Sequence, residues 1–161
     1  MKEVTGNLFE LFKESKVSAI AHGCNCQNTM GSGIALQMKE LYPEAWEVDQ
    51  RTVKGDVNKL GEFSEVWVER GGDVALADGL IFNLYTQFRY GTDERHAEYS
   101  AIKSALFNAC DYMAWNGYFS LAIPKIGCGL GGADEELVKE IVRGVEKESG
   151  DVEITWVTYQ K

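Results

Sequence analysis

The stretch AHGCNCQNTMGSGIALQMKELYPEA, residues 21–45, decides how this chain folds. The apolar run that leads into it, VSAIAH, stops at a loop of Cys, Asn and Gln. That loop becomes the glycine-spaced turn Gly31-Ser32-Gly33 and then a helical pattern over 32–41. A buried strand over 17–22 thus passes through a tight polar loop to a helix N-terminus, where free N–H groups and a partial positive charge favour anions. Asn25, Gln27 and Asn28 fall where a bound phosphate or sugar would sit.

Outward from this stretch, strand and helix patterns alternate. Towards the N-terminus, residues 1–5 form a short edge strand, Gly6-Asn7 a turn, and LFELFKES a short helix with Leu8, Leu11 and Phe12 on one face. Towards the C-terminus, Pro43 suits the first turn of a second helix, PEAWEVDQRT. Residues 63–69, 73–78 and the run 80–85 read as strands. A long helix is expected over about 93–115, capped by Thr92 or Asp93, with Ile102, Ala105, Leu106, Ala109, Tyr112 and Met113 at helical spacing. A buried strand from Tyr118 to Ile123 then ends at Pro124 and opens into a second glycine-rich loop, residues 125–132. An amphipathic helix over about 134–149, with Leu137, Ile141, Val142 and Val145 inward, and a closing strand VEITWVTY complete the chain. Such interleaving implies a three-layer α/β domain with a largely parallel sheet. Ligands in these sheets bind outside the C-terminal strand ends. Two glycine-rich strand-to-helix exits, 31–33 and 127–132, make a cleft for an extended phosphate-bearing ligand.

Composition narrows the classes. The 161 residues suffice for one domain, 1–161, and 45% hydrophobic with 25% charged residues is ordinary for a globular protein. No apolar run is long enough to span a membrane, and MKEVTGNLFELFKES carries charges throughout, so a cytoplasmic protein without a signal peptide is expected. A net charge of −9 argues against general nucleic-acid binding, which needs a basic face. Cys24-x-Cys26 is too tight for a zinc knuckle and has no second pair with a nearby His, so no metal is expected and Cys24, Cys26, Cys110 and Cys128 read as free thiols. No G-x4-G-K-[ST] occurs, and Gly127, Gly129 and Gly132 match G-x-G-x-x-G only late in the chain, with no βαβ unit after them.

With both loops on the page, the chain resembles the macrodomain family, modules that bind ADP-ribose. The family's G-D-[IV] is represented by Gly6-Asn7-Leu8, its N-A-A-N and glycine run by His22-Gly23-Cys24-Asn25 and Gly31-Ser32-Gly33-Ile34-Ala35, and its second loop by Pro124-Lys125-Ile126-Gly127-Cys128-Gly129-Leu130-Gly131. HGCNCQ with IPKIGCGLGG is most similar to the branch of yeast-type ADP-ribose 1″-phosphate phosphatases and ADP-ribosyl-glutamate hydrolases, a branch also found in phages. The resemblance implies a mixed six-stranded sheet between helices and an ADP-ribose or ADP-ribose 1″-phosphate ligand, with no cofactor and a monomeric chain. It implies that Asn7, in place of the usual Asp, and the backbone at Leu8 meet adenine, and that Asn25 meets the terminal ribose. Gly31, Ser32, Gly33, Ile34 and Ala35 on one side, and Ile126, Gly127, Cys128, Gly129, Leu130 and Gly131 on the other, would hold the diphosphate by backbone donors. Tyr159 is a candidate for stacking on adenine.

The catalytic readings rest on His22, Asn25 and Asp134. His22 is either a satisfied histidine at a strand end or an imidazole acting on a phosphomonoester. Asn25 is either a turn residue or a ligand contact, and Asp134 either a helix cap or an acid that orients water. Cys128 is either a loop filler or a nucleophile, and His96 lies on a solvated helix face. The Trp residues belong to core or interface, and the loop 86–91 either covers the distal ribose, with Arg89 meeting a terminal phosphate, or is merely solvated. Gly131 stands where the glutamate hydrolases carry Asp. The phosphatase is the leading expectation, with removal of ADP-ribose from protein or nucleic acid, and non-catalytic reading of ADP-ribose, as alternatives.

Overall fold

The computed structural model describes residues 1–70 and 78–160. In chain order the elements are β1 (Lys2–Gly6), α1 (Leu8–Lys13), β2 (Ala19–Asn25), α2 (Gly33–Leu41), α3 (Pro43–Gln50), β3 (Phe63–Glu69), β4 (Asp78–Gln87), α4 (Tyr99–Trp115), β5 (Ser120–Ile123), α5 (Glu135–Ser149) and β6 (Glu153–Tyr159). They form one six-stranded sheet of order β1-β6-β5-β2-β4-β3. Only β3 runs antiparallel to its neighbour; the remaining pairs are parallel. The strand expected at 73–78 lies outside the described residues, apart from Asp78 at the start of β4.

Alternation along the strands builds the three layers, because successive side chains point to opposite faces. On one face Ala19, Ala21, Leu80, Phe82, Leu84 and Leu121 bury against Ile102, Leu106 and Met113 of α4 and Val138, Val142 and Val145 of α5. On the other, Ile20, Ile81, Ala122 and Val157 bury against Leu8, Phe9 and Phe12 of α1, Met38 of α2 and Ala45 of α3. Central strands covered on both sides read as apolar runs, which is why β2 and β4 were legible as such.

Four local expectations shift. The helix expected from residue 93 starts at Tyr99, with Glu98 at its N-cap and no side-chain cap from Thr92 or Asp93. The reason is tertiary. The N–H groups of His96 and Ala97 both donate to Gly131 O (3.0 and 3.1 Å) and that of Glu98 to Thr86 O (2.9 Å), so the segment is held extended between β4 and the second glycine loop. His96 is therefore on this connection rather than on a helix face, half-buried, with Nε2 2.9 Å from Asp93 Oδ1. On α5 the inward stripe is Val138, Val142 and Val145, with Ile141 half-buried and Leu137 exposed. Among the tryptophans, Trp156 is fully buried but Trp115 is 84% exposed.

Phe12 is the anchor of the α1 layer, with no exposed surface and an edge contact to Tyr42 at 5.4 Å. Phe12→Ala should lower unfolding free energy by about 3–5 kcal/mol, the usual cost of emptying a buried aromatic site. Urea denaturation measures it; a loss under 1 kcal/mol would show that this layer is dispensable.

Candidate functional site

Where β6, β5, β2 and β4 end side by side, a cavity of about 1060 Å³ opens. Crossing four neighbouring strands covers roughly 14 Å at the usual strand spacing, the scale of an extended dinucleotide-like ligand. Its lining comes from Val157, Thr158 and Tyr159 at the end of β6, residues 124–131 after β5, Gly23, Cys24 and Asn25 of β2, residues 31–35, and Thr86 and Gln87 of β4 with Tyr90, Gly91 and Thr92 beyond.

The two loops that wall this cleft are rich in uncommitted backbone donors. Among the described residues, no protein group accepts the N–H of Gly31 or Ser32, nor those of Gly127, Gly129, Leu130 and Gly131. Ser32 is the N-cap of α2, yet its side chain makes no capping bond, which leaves the first-turn donors of that helix free for a ligand. Gly33 has φ +59 and Gly127 φ +75, conformations open to glycine at little cost. At Gly131 a Cβ would lie 2.7 Å from Gly127 O and 2.9 Å from Gln87 Oε1. A side chain there would force the backbone at Gly127 to move, so the packing of the second loop itself calls for glycine at 131.

The first loop is held from behind. Gln27 Nε2 donates to Phe88 O (3.0 Å) and Asn28 Nδ2 to Thr52 O (2.8 Å). Lys59 Nζ donates to Asn28 Oδ1 (2.6 Å) and Thr52 Oγ1 (3.0 Å). Gln27 and Asn28, expected against the ligand, are thus anchors and do not line the cleft. Asn25 does line it, with its amide tied locally: Oδ1 accepts from Gln27 N (2.9 Å) and Nδ2 donates to Thr29 Oγ1 (2.7 Å). Asn25 is thus a turn residue whose side chain also lines the cleft.

The catalytic expectation for His22 does not survive its placement. The ring is fully buried, outside the lining, with Nε2 2.6 Å from Asn83 Oδ1. Burial lowers its pKa to about 4, against the smaller opposing effect of the Asn83 bond. A neutral imidazole behind the sheet end cannot reach a bound substrate. Asn83 continues the chain of bonds to Ser64 Oγ (3.0 Å), whose neighbour Tyr85 OH (2.8 Å) donates to buried Asp49 (2.8 Å). Asp134 is the cap, not a cleft acid: it accepts from Leu137 N at 3.1 Å and lies outside the lining. Asn7 likewise caps α1, accepting from Phe9 N (2.9 Å) and Glu10 N (3.3 Å), and neither it nor buried Leu8 lines the cavity. All four cysteines are free. Cys128 lines the cleft, but burial raises its thiol to about 11, well out of the range of a nucleophile.

Charge in the cleft is sparse. Among the described lining residues only Lys125 and Glu135 carry it, and they pair with each other at 3.1 Å. Arg89 is not in the lining, although its neighbours Tyr90 and Gly91 are. Thr86, Gln87, Tyr90 and Gly91 of the loop read as either covering the distal ribose or solvated do line the cleft; Cys24 lines it too, without having been singled out as a contact.

A glycine-walled cleft across the strand ends of a doubly covered, mostly parallel sheet defines a class: α/β domains that hold an extended phosphate-bearing ligand by backbone donors. The family model of the macro domain matches residues 21–142, so the chain belongs to the macro domain family. It is 33% identical over 159 residues to an uncharacterised 17.5 kDa protein of Enterobacteria phage T4, covering 97% of this chain and 96% of that protein. It is 27% identical over 151 residues to a DNA ADP-ribosyl glycohydrolase of Mycobacterium tuberculosis, covering 92% of this chain but only 39% of that longer protein. A shorter match, 41% over 46 residues and 29% of this chain, is to an ADP-ribose 1″-phosphate phosphatase of Ajellomyces capsulatus, of which it covers 17%. Among solved structures, the macrodomain of Mycobacterium tuberculosis DarG superposes with a TM-score of 0.73 at 25% identity, covering 97% of this chain and 95% of that one.

The His22 placement has a consequence in acid. A histidine whose pKa falls from 6.5 to about 4 on folding binds protons more readily when unfolded. Its stabilising contribution is therefore complete above pH 6.5 and is lost as pH falls towards 4. Melting temperature should decline over that window in the natural protein, and the slope should be shallower in His22→Asn. Equal slopes would contradict the buried neutral ring.

Proposed function

We propose that this protein is a single, monomeric macro domain that binds ADP-ribose and hydrolyses the bond at C1″ of ADP-ribosyl groups on nucleic acid. Adenine lies at the β6 end, against the half-exposed Tyr159 ring; the diphosphate crosses the two glycine loops; the distal ribose reaches the β4 end. The observation that carries the reading is the uncharged character of that last end. It offers Asn25, Thr86, Gln87, Thr92 and the Tyr90 phenol among the described lining residues, amide and hydroxyl groups that lie outside the two glycine loops with their unclaimed N–H donors. A ribosyl group bearing a neutral base suits such a surface better than a phosphomonoester dianion does. The similarity to a DNA ADP-ribosyl glycohydrolase over 92% of this chain supports the same choice.

In this reading the cleft recognises the ADP-ribosyl group and not the strand that bears it, as a net charge of −9 requires. Water attacks C1″, the bond from C1″ to the base breaks, and the attacking water's proton passes through solvent to the departing base. Asn25 and Gln87 orient water and ribose hydroxyls; they supply neither acid nor base, so turnover is slow. The competing reading, hydrolysis of ADP-ribose 1″-phosphate, is favoured by the short match to a phosphatase.

The test combines calorimetry with two product assays. ADP-ribose should bind with a stoichiometry of one, and Gly129→Ala, whose Cβ would meet no protein atom within 4 Å, should fold normally yet weaken binding at least tenfold. ADP-ribosylated oligonucleotide should release ADP-ribose, whereas ADP-ribose 1″-phosphate should release no phosphate. Phosphate release with an intact oligonucleotide adduct would reverse the choice of reaction, and tight binding with neither product would make the protein a reader.

A further inference from the structure

Two buried side-chain polar atoms have no hydrogen-bond partner among the described residues: Trp156 Nε1 and Thr86 Oγ1. Only Thr86 lines the cleft. A buried hydroxyl without a partner costs free energy that folding does not return, so a partner from outside the fold is the physical expectation. Thr86 is fully buried at the end of β4, and its Oγ1 lies only 2.9 Å from the point where a Cβ on Gly23 would stand. Glycine at 23 is what lets the hydroxyl lean across β2 towards the second loop. The same point is 3.9 Å from Gly127 N, whose hydrogen is also unclaimed by the protein. An orphan hydroxyl and an orphan N–H thus converge on the floor of the cleft, where β2 and β4 meet the loop after β5.

From this convergence we infer that Thr86 is a ligand-binding, specificity-determining residue: its hydroxyl bonds a hydroxyl of the distal sugar. A sugar hydroxyl has both functions the notch needs. It accepts from Gly127 N–H and donates to Thr86 Oγ1. Thr86 then distinguishes ligands that carry the distal ribose from those that end at the diphosphate. This inference rests on the ADP-ribose reading and assigns one contact within it.

The experiment compares the natural protein with Thr86→Val and Thr86→Ser, using ADP-ribose and ADP as probes in calorimetry and melting temperature as a second readout. Valine keeps the shape and removes the hydroxyl. Thr86→Val should weaken ADP-ribose binding about tenfold, the usual effect of one lost hydrogen bond to an unpaired group, leave ADP binding unchanged, and leave the melting temperature level or raise it, since an unpartnered buried hydroxyl is removed. Thr86→Ser should restore ADP-ribose binding to within about threefold of the natural protein. If the natural protein binds ADP-ribose and Thr86→Val binds it equally well, the inference falls and the ADP-ribose reading stands. A fall in melting temperature with ADP-ribose affinity intact would also overturn it, by showing that the hydroxyl serves the fold. If the natural protein does not bind ADP-ribose at all, both fall together.

Discussion

Backbone N–H groups that the fold cannot satisfy by itself govern this molecule. Where parallel strands hand over to helices, the chain must turn, and at Gly31 to Gly33 and at Gly127, Gly129, Leu130 and Gly131 it turns through residues whose N–H groups find no acceptor among the described residues. Such groups are tolerated because they face a cleft and not a core. The arrangement supplies positive potential without positive side chains, which reconciles an acidic protein with an anionic ligand. Among the described lining residues the only charged side chains are Lys125 and Glu135, and they pair with each other.

Holding those donors still takes buried polar structure behind them. Lys59, Thr52 and Asn28 brace the first loop, while the chain from His22 through Asn83, Ser64 and Tyr85 to Asp49 runs beneath it. Desolvation raises the Asp49 pKa, opposed by the Tyr85 bond and by Lys59. Buried networks of this kind favour one arrangement of a loop over its alternatives when each member is satisfied. On the opposite wall, Gly131 O gathers the N–H groups of His96 and Ala97, so the second loop is stitched to the entry of α4. Rigid walls reduce the ordering cost of binding.

Most of this was legible in the chain, and most of what was not has one cause. β3 was read with its observed ends, because period-two alternation needs only local information, and Pro43 marked the first turn of α3. The glycine loops announced the cleft. What failed depended on long-range contacts. The start of α4 is delayed by bonds to Gly131 and Thr86, far away or off the helix. His22 and its register partner Asn83 are 61 residues apart, and only the β2–β4 pairing shows that the imidazole is consumed by an amide. One miss is local instead: Asn7 was expected at adenine but caps α1, whereas Asp134 fills the helix cap that was one of its two readings. Thr86 was visible only as the first residue of the loop 86–91; that its hydroxyl has no partner among the described residues depends on how β2, β4 and the second loop pack together.

The central claim is that ligand is held by the unclaimed amides of the two glycine loops. Titrating isotope-labelled protein with ADP-ribose while recording two-dimensional amide NMR spectra tests it most directly. The largest shifts should fall on Gly31 to Ala35 and Gly127 to Gly131, with smaller changes at Gly23 and Thr86 and none along α5 beyond its first turn. Saturable shifts clustered elsewhere, or loops whose amides stay unmoved while ligand binds, would contradict it.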